Sequence, residues 1–465
     1  MSKDNHHIAI NRSALVEQPL KTSAATGATL ACMGLSNAIP LMHGSQGCGA
    51  FAKVYLIQHY REPIPLQNTA IDHIAAVMGG DDNLSKALAL LCEKHQPQLI
   101  MVVTTGLTEM QGCDVARVIR EFKANHPQYL KSRLVSVSSP DFSGSMQSGF
   151  AHAVEACVQQ LIVEPTVDSK STVAAQPQLN VFCSVALTSA DCELIERYCS
   201  AFGFNAVLLP NLSDSLDGHL ADEDFSNTST GGTGVNQITS MVNSVASLVL
   251  GESLLPAAKL LQEHYAVPYH SLGLVMGLEK SDKLVMLLSR LSNQAVPDWI
   301  NRQRKRLQDA MLDCHFLLSA SQVSMALEPD AAAGYATLLA ENGAVLNKLV
   351  TTLNVPELKA IKANNVVVGD LSDLTNVIAD SEFVIGNTHC ANLCEPSTPV
   401  LRAGFPCHDQ FGNSDTLQVG YEGARDRLFA MANLLKANHQ DEVPAHVSAY
   451  RFEPESCVKH PLPIS

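Results

Sequence analysis

The chain has 465 residues, 46% of them hydrophobic, and a mean hydropathy of +0.07. That is enough apolar mass for several cores, yet its apolar runs break well short of the roughly 18 residues a membrane span requires. A net charge of −15, from 46 acidic and 31 basic residues, argues against nucleic acid as the main partner. Thirteen cysteines, an odd number, follow a start without an apolar leader, so reduced thiols and a cytoplasmic setting are expected rather than a disulfide framework.

In chain order, Ala24–Leu35 reads as a core helix and Asp81–Pro97 as a helix with Asp and Asn at its start and proline past its end. Gln98–Gly106 is a buried strand, Glu109–His126 the amphipathic helix after it, and Ser132–Ser145 the next strand with its loop. Periodicity fades over Ile162–Asn180, where Pro, Ser and Thr accumulate, and this is taken as a linker. A second unit opens with the strand Leu179–Thr188, continues through helix Asp191–Gly203 and strand Asn205–Pro210, and closes near Gly277–Pro297. The third has helix Asp298–Cys314, a strand-like His315–Leu327, helix Asp330–Gly343 and strand Asn365–Asp370. Helix Leu371–Asp380, strand Glu382–Asn387 and the apolar Pro399–Pro406 complete it. Strand–turn–helix units repeated in this way predict an α/β protein of three doubly wound, Rossmann-like domains with mainly parallel sheets. Their expected spans are 1–165, 178–298, and 299–465 with a C-terminal helix and tail.

Neither a dinucleotide-binding glycine fingerprint nor a P-loop occurs, and the glycine cluster Thr230–Asn236 follows a polar loop rather than a buried strand. His389, Cys390, Cys394, Cys407 and His408 are dense in potential ligands but match no zinc spacing, and packed loop cysteines are the simpler reading. Cys48 is different. It stands between Gly47 and Gly49, five residues after His43, where a thiol could act as nucleophile or as metal ligand. As a ligand to an iron–sulfur cluster it lacks company: Cys32 and Cys92, the flanking cysteines, both sit in helical patterns. Further ligands would come from distant turns or from a second chain.

The stretch Met33–Pro65, with H-G-S-Q-G-C and R-E-P, is followed in order by V-M-G-G-D-D-N-L, T-T-G-L-T-E-M-Q-G-C-D, P-D-F-S-G-S, F-V-I-G-N-T-H-C, L-R-A-G-F-P and G-Y-E-G-A. From about Asn11 to Asn438 the chain resembles the β-type subunits of the nitrogenase component-1 family. The catalytic β subunits of that family hold half of an eight-iron cluster through three cysteines. Here only Cys48 remains: Leu66 falls where the second would be and Gly106 where the third would be. Asp141 corresponds to a loop serine that can join that cluster; a structural cap is its simpler use, iron ligation the alternative. Cys113 is the one substitute for a lost ligand, although a helix over Glu109–His126 would make it a buried structural thiol.

The resemblance therefore implies a non-catalytic scaffold for iron–molybdenum cofactor maturation, with Cys48 one ligand of a 4Fe-4S cluster shared with an α-like partner subunit in an α2β2 heterotetramer. It further implies that the cofactor precursor is held mainly in the partner, that molybdenum and homocitrate are installed there, and that the nitrogenase iron protein docks transiently. The rival readings are a catalytic β-type subunit, of nitrogenase or of protochlorophyllide reductase, and a thiol enzyme using Cys48 as nucleophile.

Overall fold

Strands that are apolar on both sides need helices on both faces, and Ala38–His43 and Leu99–Thr104 are of this kind, buried at every residue. In the computed structural model, which describes residues 8–11, 16, 18–142, 144–162, 176–220 and 226–439, they lie at the centre of the first of three parallel sheets. A short strand β1 (Ile8–Ile10) precedes it and pairs far away, at the edge of the third sheet. The first unit then runs α1 (Ala24–Met33), β2 (Ala38–His43), α2 (Gln46–Tyr60), β3 (Gln67–Asn68), α3 (His73–Met78), α4 (Asp81–His95) and β4 (Leu99–Thr104). It finishes with α5 (Gly106–Met110), α6 (Val115–Asn125), β5 (Arg133–Val137) and α7 (Met146–Leu161). Its strand order is β3-β2-β4-β5.

Helix α1 is buried along its whole length and crosses α7 at very short range. A Cβ on Gly27 would lie 1.9 Å from the Met146 carbonyl oxygen, and one on Gly149 would lie 1.8 Å from that of Ala24, so the crossing requires glycine at both places. The opposite face of the sheet is covered by Leu84 and Leu88 of α4 and Val118 and Phe122 of α6.

The second sheet, ordered β7-β6-β8-β9, uses β6 (Gln178–Cys183), α8 (Ser189–Ala201), β7 (Asn205–Leu209), α9 (Val235–Ser240), β8 (Ser247–Leu250), α10 (Leu255–Tyr265) and β9 (Tyr269–Ser271). After α11 (Leu278–Ser292), the third comprises α12 (Asp298–Leu318), β10 (Gln322–Ala326), α13 (Pro329–Glu341), β11 (Val345–Thr351) and β12 (Asn365–Val368). It continues through α14 (Thr375–Ile378), β13 (Phe383–Gly386), α15 (Thr388–Leu393), β14 (Val400–Arg402) and α16 (Gly420–His439), with strand order β1-β12-β11-β10-β13-β14. One face of the second sheet gives Phe182, Val207 and Val249 to the core of the first unit. The other gives Leu179, Val181 and Leu248 to the core of the third. All strand pairs are parallel, so the α/β class and doubly wound architecture are as expected.

Three elements differ from the sequence reading. The helix expected over Glu109–His126 is two helices, because Gly112 turns the chain at φ +69° and Asp114 starts α6 by accepting the Arg117 amide. The strand-like His315–Leu327 is split: its first four residues extend α12 and only Gln322–Ala326 joins the sheet. Residues Leu371–Asp380 form a 3-10 turn followed by the single turn α14 rather than one regular helix. Strand β11 went unforeseen, its apolar run being interrupted by Asn347 and Lys348. The centre of the expected linker, 163–175, and the tail after residue 439 lie outside the described residues.

Candidate functional site

Parallel sheets present their loops for chemistry at the carboxyl ends of the strands, and β2 and β4 end level with each other, His43 beside Thr104. The two turns that follow are tied together: the hydroxyls of Thr105 and Thr108 donate to the His43 carbonyl at 3.2 and 3.0 Å. Thr69 fastens the same turn from β3's side, accepting the Gly44 amide at 3.1 Å. This rigid edge carries the start of α2, where Cys48 lies in the first turn and is exposed.

Cys48, Phe51, Ala52 and Tyr55 follow helical spacing and share one face of α2. They line an open cleft of about 270 Å³ with Lys21, Ser23, Thr26, Thr105, Asp141 and His389. Among the described residues the Cys48 sulfur has one hydrogen-bond partner, Ser45, whose Oγ is 3.4 Å away. A Cβ on Gly49 would press to 2.6 Å from Asn68 Nδ2, so packing within the chain explains that glycine. A Cβ on Gly47 or Gly106 would meet nothing within 4 Å, so the space before them is open.

The cleft gathers Cys48, Asp141 and His389, whereas Leu66, Gly106 and Cys113 do not line it. Asp141 caps no helix. Its Oδ1 accepts from Ser23 Oγ at 2.7 Å, its carbonyl accepts from Lys21 Nζ, and Ser23 in turn caps α1 by accepting the Ala25 amide. Leu66 is 7% exposed and packs in the core with Ala52, Leu56 and Ile64. Gly106 opens α5. Cys113 sits in the turn between α5 and α6 rather than in a helix. Its sulfur is 3.4 Å from His43 Nε2 and 3.4 Å from Asp81 Oδ1. Burial, reinforced by Asp81, pushes its thiol up to about 12, while burial holds the His43 imidazole down at about 4. This thiol is therefore protonated and turned toward the α4 side, outside the cleft.

In the cysteine-dense loops, Cys394 Sγ donates to the Cys390 carbonyl and Cys407 Sγ to that of Gly404, each at 3.4 Å. Among the described residues no three His, Cys, Asp or Glu side chains gather as a metal site. The glycine cluster at Thr230–Asn236 binds within the chain: the Asp214 carboxylate takes the Gly232 amide, and Thr233 pairs with Leu35.

On α2 and α3 and beside Asp141, the first unit exposes large apolar side chains that the described residues leave uncovered. Phe51 is 69% exposed, Val54 and Ile57 follow it on α2, and Phe142 adjoins Asp141. The helix α3, His-Ile-Ala-Ala-Val-Met, buries none of its residues, and Val77 is 85% exposed. Gln111 beside Met110 ties α5 to α3 by donating to the carbonyls of Ala75 and Ala76.

A family model described as nitrogenase component 1 type oxidoreductase matches residues 23–436. The chain belongs to this family. Among its nitrogenase component 1 type relatives, a Klebsiella pneumoniae protein named nitrogenase iron-molybdenum cofactor biosynthesis protein NifN is 38% identical over 445 residues, covering 95% of each chain. A protein of the same name from a Nostoc strain is 39% identical, covering 91% of this chain and 94% of its own. The solved structure "Nitrogenase Cp1 at pH 6.5" aligns with a TM-score of 0.86 at 27% identity, over 95% of this chain and 98% of that one. The nitrogenase component 1 fold thus spans most of the chain, and the cleft at Cys48 is built from its first unit with one wall, His389 and Pro406, from the third. Tyr55 and Phe51 escaped the sequence reading, although their spacing from Cys48 along one helix face was the available signal. His389 was noticed there only as a zinc candidate.

Proposed function

We propose that the chain is the β-like subunit of a scaffold on which the nitrogenase iron–molybdenum cofactor is matured, a cytoplasmic biosynthetic role rather than that of an enzyme. The names of its relatives support the process, and the observation that carries the local reading is Cys48: an exposed thiol, outside any cluster of potential metal ligands among the described residues, in an open cleft beside exposed apolar side chains. A large apolar rim marks a protein–protein surface. Its occupant in this reading is a NifE-like α subunit, two of each chain forming an α2β2 heterotetramer, and the first unit, residues 1–165, carries both this face and the half-site.

The donor set fits a shared 4Fe-4S cluster: one thiolate from this chain and three from the partner. When bound, such a cluster supplies one-electron transfer. Cys48 offers its sulfur from a helix start anchored to two strand ends, Ser45 Oγ lies within reach of that sulfur, and Gly47 leaves the approach clear. Phe51 and Tyr55 wall the cleft on one side, and Lys21 brings a positive charge to the other. The cofactor precursor, as cargo, is held mainly by the partner, and the nitrogenase iron protein docks transiently over the joint face.

Cys48→Ala tests this in the purified complex. The expected result is loss of most of one four-iron cluster per β-like chain, with a diminished electron paramagnetic resonance signal and an unchanged subunit ratio. Unchanged iron and signal would sink the assignment of Cys48.

A further inference from the structure

Arg427, on α16, is the one arginine whose buried nitrogen has no acceptor among the described residues: its Nε is sealed from solvent and unpartnered. The neighbouring cations are matched. Arg402 is held by Asp409 through a bond of 2.6 Å and Arg425 by Asp426 at 2.7 Å. Arg427 has no such carboxylate among the described residues. Its one neutral partner is the Tyr335 hydroxyl, which accepts from the guanidinium while donating to Gln418 Oε1 at 2.9 Å, so Nε is left over.

The same side chain lines a cavity of about 70 Å³ enclosed by all three units. His59 enters from α2, Thr188 follows β6, Glu328 follows β10, and Gly404 follows β14, so the cavity lies at the carboxyl ends of strands from two sheets, the usual ligand position in open α/β folds. Two further donors face it. Ser414 has no hydrogen-bond partner among the described residues. His59 accepts the Cys407 amide at Nδ1, which leaves Nε2 to carry the proton, and burial keeps its pKa near 4, so it is a neutral N–H donor. The carboxyl in the wall, Glu328, is engaged by Ser145 and Thr352, and burial raises its pKa to about 7, so it opposes a second negative charge less than an ordinary carboxylate does.

We propose that this cavity between the three units is a binding site for a small tetrahedral oxyanion, held by the Arg427 guanidinium with Ser414 and His59 as neutral donors. A guanidinium paired with one neutral hydroxyl and no carboxylate keeps its positive charge uncompensated, and a guanidinium fork is the side chain best suited to such an anion. The cavity volume limits the ligand to a few heavy atoms and excludes a nucleotide. The inference stands apart from the reading of Cys48, which lies in a different cleft.

The test is equilibrium dialysis of labelled sulfate against the purified complex, with chloride matching ionic strength and molybdate, another tetrahedral dianion, as competitor. Wild type should take up one sulfate per chain saturably and release it to molybdate. Arg427→Gln should weaken uptake on the order of tenfold or more, Arg427→Lys less, and Ser414→Ala by a few fold. No saturable uptake by wild type would overturn the proposal, as would uptake by Arg427→Gln with unchanged affinity. Ser414→Ala, which removes one hydroxyl from a half-exposed loop, keeps the test decisive if the arginine variants fail to fold.

Discussion

Two regions of the molecule hold conspicuous cysteines, and they are opposites. The loops after β13 and β14 carry Cys390, Cys394 and Cys407 within 18 residues, yet Cys390 and Cys407 are buried, and the sulfurs of Cys394 and Cys407 each meet a backbone carbonyl. The start of α2 carries Cys48 alone, exposed, beside open space. Density in the sequence thus marks packing in one region, while isolation marks a surface awaiting ligands in the other. The physical difference is what surrounds the sulfur: a satisfied core thiol needs no second chain, whereas an exposed thiol in an apolar rim gains from one.

The comparison can be broken first at Leu66, which occupies a family thiol position as a core residue under α2. Leu66→Ala should cost about 2–5 kcal/mol in denaturant unfolding, because it opens a cavity below Ala52 and Leu56. A silent substitution would mean that this position is not packed and could still face a ligand.

The next largest effect belongs to His59, whose Nδ1 supports the loop of the buried Cys407. Burial depresses its pKa from 6.5 to about 4. The unfolded chain therefore binds the extra proton between those values, so the stabilisation is complete above about pH 6.5 and is lost as pH falls toward 4. Its span is no more than about 3 kcal/mol. Stability measured from pH 7 to 4.5 should fall less steeply in His59→Gln than in wild type. Equal slopes would show that the imidazole is not held neutral by burial.

The smallest effect compares the thiols themselves. Cys390→Ala should lower stability by about 1–2 kcal/mol, because the sulfur fills a site closed against Gly386, whereas Cys48→Ala in the free chain should stay within about 0.5 kcal/mol of wild type. The reverse order would exchange the roles of the two regions.

Much of this was legible beforehand for definite reasons. The apolar runs Leu99–Thr104 and Phe383–Gly386 announce buried parallel strands, and the order of motifs around Cys48 announces the family. Cys113 was misplaced because Gly112 turned a continuous helical pattern into two helices, a tertiary choice that periodicity does not register. Asp141 was read as a cap because its partner, Ser23, is 118 residues away. The exposure of α3 was hidden for a related reason: an apolar six-residue stretch looks like core until the fold shows which side of the sheet it lies on.

The central claim is that Cys48 is one quarter of a site completed by another chain. Iron and acid-labile sulfide measured on the isolated chain and on its complex with the α-like partner test it most directly. The account predicts no stable four-iron cluster in the isolated chain, and in the complex a cluster that depends on Cys48. A full cluster in the isolated chain, or a complex that assembles without one under reducing, iron-replete conditions, would contradict it.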